Sequence, residues 1–283
     1  MPIDIERVLG AQIPETTASW EPDDVILYHL GLGAGVPPTD DGELEYTYEG
    51  RLKVLPAYAV QPVFPTLFSL AGLPGLDVNL AMLLHGEHEL EVPQPLPTSA
   101  QVRTSARITD VFDKGKAALL VLETTTSNGD GTPLFVNRFS AFIRGEGGFG
   151  GDSGPPAAHE APDRAPDVEV ERSTLPQQAL LYRLAGDKNP LHADPEFAKL
   201  GGFDQPILHG LCSYGIVCKA VVDELLGGDV AQVAGYRARF AGVVFPGETI
   251  VVQMWREGGA VLVRAATRER GTPVITNAAI TLR

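Results

Sequence analysis

The sequence predicts an α+β fold made of two tandem copies of one unit, each a buried helix wrapped by an antiparallel sheet. Three observations carry this expectation. Short segments recur in the same order in both halves of the chain. The tail of each half reads as successive strands separated by turn signals, and the segment from about Leu211 to Leu226 is apolar on nearly every side.

The recurrence sets the organisation. Leu27-Tyr28-His29-Leu30-Gly31 parallels Leu181-Tyr182-Arg183-Leu184-Ala185, and Pro95-Leu96-Pro97-Thr98-Ser99-Ala100-Gln101-Val102 parallels Val244-Phe245-Pro246-Gly247-Glu248-Thr249-Ile250-Val251. Gly131-Thr132-Pro133-Leu134-Phe135-Val136-Asn137 likewise parallels Gly271-Thr272-Pro273-Val274-Ile275-Thr276-Asn277. A period on the order of 140 residues is too long for a solenoid repeat and fits a duplicated domain. Between the halves, Gly145 to Pro166 is rich in Gly, Pro and acidic residues without apolar periodicity, the composition of a linker. The expected division is a first unit over 1–147, a linker over 148–171 and a second unit over 172–283, consistent with a length of 283 residues.

Within the units, Val102 to Ile108, Ala117 to Thr126 and Leu134 to Ile143 are rich in β-branched and aromatic residues, with Asn128-Gly129-Asp130-Gly131 as turn chemistry. Thr249 to Trp255, Val261 to Thr267 and Val274 to Leu282 repeat the pattern, with turns at Glu257-Gly258-Gly259 and Arg270-Gly271. The helix before them ends at the stop signal Gly227-Gly228.

Composition narrows the function classes. A hydrophobic content of 44% with 20% charged residues is that of a folded globular chain. The formal charge of -14, with no run among its 22 Lys and Arg residues, excludes a nucleic-acid partner, because phosphate binding needs a basic surface. No basic n-region precedes an apolar stretch at the start, no segment approaches a membrane span, and Thr281-Leu282-Arg283 is not a peroxisomal signal. Only Cys212 and Cys218 are present, six apart on one helix and pointing to different sides, which fits free thiols in a reducing cytoplasm.

Reactive residue types are densest in Gly186-Asp187-Lys188-Asn189-Pro190-Leu191-His192. Asn189 precedes a proline and is biased away from helix, so Asp187 and His192 fall on a turn where groups five apart can converge on one water. Asp194-Pro195-Glu196 then starts a short helix, with an N-cap, Pro at the first position and an acid in the first turn. Two readings stand at this level: a pair for acid–base work, or an Asx-turn in which His192 only fills space. A metal site is disfavoured, because His209 and Asp204 show no ligand spacing. Pro206-Ile207-Leu208-His209-Gly210 precedes the buried helix, and the Gly210 amide is either an unpaired helix N-terminal donor suited to an oxyanion or a glycine kept for close packing.

Taken together, Gly186-Asp187-x-Asn189-Pro190-Leu191-His192, Asp194-Pro195 and Pro206-Ile207-Leu208-His209-Gly210-Leu211-Cys212 resemble the hydration motif of the MaoC-like hydratase 2 family. The likeness is to its two-domain members, among them the hydratase portion of the peroxisomal multifunctional enzyme, and covers both halves. Tyr236-Arg237-Ala238-Arg239-Phe240-Ala241, Phe245-Pro246-Gly247-Glu248-Thr249 and Leu84-His85-Gly86-Glu87 also fit. The resemblance implies a double hot-dog fold, a trans-2-enoyl-CoA substrate, an (R)-3-hydroxyacyl-CoA product and no metal or redox cofactor. It implies that Asp187 and His192 hold the catalytic water, that Asn189 helps to place them, and that the Gly210 amide binds the thioester carbonyl. Positions matching His85, Gly86, Lys114 and Phe240 line the substrate site, and Lys188, Pro190 and Leu191 of the motif are counted with them.

The first half departs from the motif, since Tyr28-His29-Leu30-Gly31-Leu32-Gly33-Ala34-Gly35 has no acid where Asp187 falls and no histidine in place of His192. One active site per chain is expected, with the apolar stretch Val60 to Leu80 either lining a tunnel for a long or bulky acyl tail or simply forming core. Coenzyme A phosphates need a local basic cluster, for which Lys114, Lys188, Lys219, Arg237 and Arg239 are the candidates. Alternative readings on the same fold are a thioesterase, a dehydratase acting on a carrier protein, and a non-catalytic acyl-CoA binding subunit. A homodimer is the family-level expectation for its assembly.

Overall fold

The computed structural model describes residues 3–70, 72–76, 83–156 and 158–283. Ten strands form one antiparallel sheet: β1 (Thr16–Trp20), β2 (Leu83–Glu91), β3 (Ala100–Asp113), β4 (Ala117–Asn128), β5 (Pro133–Arg144), β6 (Val168–Ser173), β7 (Val233–Phe240), β8 (Thr249–Glu257), β9 (Ala260–Thr267) and β10 (Pro273–Leu282). The helices are α1 (Ile5–Leu9), α2 (Pro22–Gly31), α3 (Asp41–Thr47), α4 (Phe64–Ser69), α5 (Gln178–Tyr182), α6 (Pro195–Leu200) and α7 (Gly210–Leu225).

Strand order is β1-β3-β4-β5-β2-β7-β10-β9-β8-β6. Read outward from its centre, the same order of equivalent strands runs in both directions, so the duplication seen in the sequence is a pseudo-twofold of the sheet. This is the double hot-dog arrangement. The strand segments expected from composition are all present, each a residue or more longer, because the alternation of buried and half-exposed positions, clearest in β4 and β9, continues to the turns. Asn128 and Asp130 side chains accept from the Thr132 amide, and Gly131, Gly258 and Gly271 take the positive φ those turns demand.

The halves are joined by β2 and β7, which pair with Leu90 opposite Tyr236 and Glu89 opposite Arg237. Gly86 is an extra residue in β2: His85 faces Ala141 of β5 while Glu87 faces the next position, Ser140. This bulge resets the alternation, so that His85 and His88 come together, ring centroids 5.4 Å apart, while Glu87 and Glu89 face Arg237, Arg239 and Arg138.

In the second half α7 is buried from Leu211 through Val222 and followed by Gly227 and Gly228 at positive φ, as its all-round apolar sequence requires. The first half differs from the expected single helix. Among the described residues it buries a 3₁₀ turn at Pro56–Val60 and then the short α4, because Pro56, Pro62 and Pro65 lack the amide hydrogens a longer helix needs. Both cysteines are buried and free.

Candidate active site

The Gly186 to His192 loop leaves α5 and crosses to the first half of the chain. Gly186 has φ +154°, and a Cβ there would lie 2.9 Å from Gln61 Oε1 and 3.0 Å from Phe64. Only glycine permits that approach, which puts Asp187 beside the first-half wall. The Asn189 amide donates to Asp187 Oδ1 at 3.0 Å and the Leu191 amide to Asn189 Oδ1 at 3.0 Å. Asn189 is extended, as a residue before proline must be, and caps the 3₁₀ turn Pro190–His192. The Asx-turn is therefore formed, and it occupies one oxygen of Asp187. Leu191 seats this turn against Gly201 at the end of α6, whose N-cap Asp194 accepts from the Glu196 amide at 2.9 Å.

His192 is buried, with Nδ1 at 2.8 Å from the Ile207 carbonyl. A carbonyl only accepts, so Nδ1 carries the proton and Nε2 keeps a lone pair. Burial lowers its pKa below the ordinary histidine value, against the opposing pull of Asp187 and of that carbonyl. His209, the residue before α7, stacks on His192 with ring centroids 3.7 Å apart and 29° between planes, and its Nε2 lies 3.2 Å from the Asp187 carbonyl. A carboxylate oxygen of Asp187 and nitrogens of His192 and His209 all fall within 4.8 Å of one another.

Next along the chain, the Cys212 and Ser213 amides bond to the His209 carbonyl, which leaves the Gly210 and Leu211 amides as the first-turn donors without a partner inside the helix. A Cβ on Gly210 would press on the Phe240 ring at 3.3 Å, and Phe240 in turn lies 4.7 Å from the His85 ring. Asp187, Asn189, His192, Gly210, Phe240, His85 and Gly86 thus form one continuous region across both halves.

Other sequence-derived residues are placed differently. Lys219 is not a phosphate contact: it is buried on α7 and paired with Glu43 at 2.6 Å and Asp223 at 2.8 Å. Arg237 and Arg239 are committed to Glu87. Lys114 sits exposed at the β3–β4 turn, donates to the Ser153 carbonyl, and lines a cavity of about 190 Å³ with Phe112, Arg138, Arg237, Glu87 and Pro155. None of Asp187, His192 and Gly210 lines that cavity. Lys188 and Pro190 are exposed on the loop. Along the apolar stretch, Val60, Val63 and Phe64 are core, whereas residues 71 and 77–80 lie outside the described residues. In the first half His29 is fully satisfied, between the Tyr46 carbonyl and the Leu55 amide.

Sequence reasoning placed Gln61 and Phe64 only within the apolar stretch Val60 to Leu80, with no signal linking them to the loop over a hundred residues away, and set aside His209 as a metal ligand for want of ligand spacing. The three donors nevertheless make a poor metal centre as arranged. His192 Nδ1 and His209 Nε2 are each taken up by a backbone carbonyl, which leaves one free nitrogen on each of two stacked rings.

Burial holds His29 at about 3, His85 at about 4 and His209 at about 2, and lowers His88 and His192. These groups stay neutral in the fold but take up protons once unfolded. Stability is therefore full above the ordinary value of 6.5 and is expected to fall as pH drops toward 4, by up to about 1.4 kcal/mol per pH unit for each histidine. Urea midpoints at pH 7 and 5 check this, and equal midpoints would mean the rings are charged when folded.

Comparison with known proteins is consistent along the whole chain. The model of the MFE-2 hydratase 2 N-terminal domain matches residues 19–145 and that of the MaoC like domain matches 157–278. The chain is 50% identical to the enoyl-CoA hydratase ChsH3 of Mycobacterium tuberculosis, over 97% of each chain. It is 40% identical to the peroxisomal enoyl-CoA hydratase 2 of Arabidopsis thaliana, over 95% of this chain and 93% of that one. The solved structure of a MaoC-like dehydratase from Phytophthora capsici superposes with a TM-score of 0.86 at 35% identity, covering 99% of both chains.

Proposed function

Because the chain belongs to the MaoC-like hydratase 2 family in its two-domain form, we propose that it is an (R)-specific 2-enoyl-CoA hydratase, adding water reversibly and on one face to trans-2-enoyl-CoA. The observation that carries the mechanism is the approach of Asp187 to His192 within 4.8 Å. One water making two hydrogen bonds of about 2.8 Å joins groups up to about that far apart.

Water held there attacks C3 of the enoyl thioester as the Asp187 and His192 pair takes its proton. The C2=C3 electron pair moves toward C1, and the thioester oxygen takes the negative charge against the Gly210 amide at the positive end of α7. C2 then receives a proton from the pair on the same face, giving (R)-3-hydroxyacyl-CoA, and the reverse sequence is dehydration. Asn189 acts by fixing the turn that carries His192. The steps balance with substrate and water alone, so no redox cofactor is called for, and none of the proposed steps uses a metal. His85, Gly86 and Phe240 serve as the floor under the acyl thioester, and Lys114, Lys188, Pro190 and Leu191 as the outer contacts of coenzyme A.

The acyl group is a fatty or steroid-like chain, accommodated where the first half lacks a second catalytic pair. Two buried free thiols favour a reducing cytoplasm, and no described helix is long and apolar enough to cross a membrane. Homodimerisation follows the family, and sedimentation at several concentrations tests it. The deciding assay is loss of the conjugated enoyl-thioester absorbance with trans-2-enoyl-CoA of several chain lengths, with chiral analysis of the product. Rapid conversion to the (R) alcohol is expected. Release of free CoA thiol instead would mean thioester cleavage and would overturn the assignment.

A further inference from the structure

We infer that His209 is a positioning residue for the hydration reaction, locking the Asp187 loop, the His192 ring and the Gly210 amide into one rigid unit. This rests on the hydratase reading above. The same side chain touches or adjoins all three parts. Its ring lies flat on that of His192, its Nε2–H donates to the carbonyl of Asp187, and its own peptide unit leads into Gly210 as the first residue of α7.

The residue is 1% exposed, and among the described residues its Nδ1 has no hydrogen-bond partner. Among them the tie to Asp187 is its one polar anchor, and it fixes the tautomer, because a carbonyl can only accept. The Tyr182 ring also packs against the His209 ring, tilted, with centroids 4.9 Å apart. The charged groups around the stack are Asp187 on the loop and Arg183 at the end of α5, which makes the neutral ring the one member that need not change charge as the pair exchanges protons. Two stacked imidazoles cannot both be cationic at low cost, and burial together with His192 holds His209 at about 2. A stiff neutral plate beneath His192 leaves its Nε2 aimed at the water while the loop carbonyl holds Asp187 at bridging distance. Misplacement of such groups by about 1 Å costs on the order of 10²-fold in rate.

Substitution separates this role from simple packing. His209→Phe keeps the ring and its stacking but has no donor. His209→Gln places an amide nitrogen where Nε2 stood, and His209→Asn places one a carbon short. The three variants, wild type and Asp187→Asn are compared for hydration of one trans-2-enoyl-CoA, with thermal unfolding run alongside. The expected result is a loss of about 10²-fold in kcat for Phe and Asn with KM within about threefold, and partial recovery by Gln, which restores the donor but not the stacked ring. The inference is overturned if Phe keeps kcat within about threefold, if Gln is as impaired as Asn, or if the loss sits in KM. Should Phe not fold, the Gln and Asn pair decides alone. An inactive wild type would overturn the hydratase reading itself and this inference with it, whereas an active wild type with a normal Phe variant removes only the role of His209.

Discussion

Asp187→Asn and His192→Ala should each lower kcat for hydration by about 10² to 10⁴, with KM changed little, because general acid–base transfer contributes that much and the substrate contacts remain in place. Asp187→Asn keeps the shape and the Asx-turn acceptor but removes the charge facing His192. His192→Ala removes the Nε2 lone pair while leaving the 3₁₀ turn capped by Asn189. The effects should be far from additive: the double variant should be about as slow as the worse single one, since the two groups hold one water. In the wild type the acid limb of kcat/KM should lie below the ordinary histidine value of 6.5, the side to which burial moves His192. Normal rates in either variant would remove the pair from the mechanism, and an acid limb above 6.5 would mean that His192 is not the buried neutral base seen here.

The second large effect is on stability. Lys219→Ala should cost about 3 kcal/mol, because among the described residues Lys219 is the one cation paired with the half-buried carboxylates Glu43 and Asp223, and removing one partner of such a pair is far more damaging than removing both. Glu43 belongs to α3 in the first half and Lys219 and Asp223 to α7 in the second, so the loss falls on the contact between halves. Tyr46 reinforces it, donating to Asp223 at 2.8 Å beneath the Lys219 ammonium, and Lys53 bonds the Gly228 carbonyl at 3.0 Å. In a chain of this size the expected drop in Tm is roughly 6 to 12 °C. Lys199→Ala, which breaks the exposed pair with Glu196, is the control and should shift stability by less than about 1 kcal/mol. Equal shifts for the two would show that the Glu43, Lys219 and Asp223 cluster does not hold the halves together.

Several levels of this protein were readable from the chain alone, and each was local. The strand tails depend on alternation with a period of two, α7 on apolar residues over sixteen positions, and the Asp187 to His192 turn on a proline and two side chains that bond their own backbone. The duplication was legible for the same reason, as equal segments in equal order. What was not legible depends on segments distant in the chain that meet only after folding. β2 and β7 join across some 150 residues, and β1, β2, β6 and β7 were not distinguished as strands, since pairing partners rather than their own composition define them. The bulge at Gly86 turns His85 and His88 to one side, which no alternation rule foresees. Lys219, a candidate phosphate contact from sequence, is buried with its partner Glu43, which arrives from the other half. Gln61 and Phe64 reach the Gly186 loop from the other half in the same way, and His209 from 22 residues further along its own half. Sequence determined which segments form and which residues carry chemistry, because hydrogen-bonding capacity and periodicity are properties of neighbours. Only the tertiary structure decided what each of those residues touches, because burial, stacking and charge pairing depend on distances in space that sequence separation does not constrain.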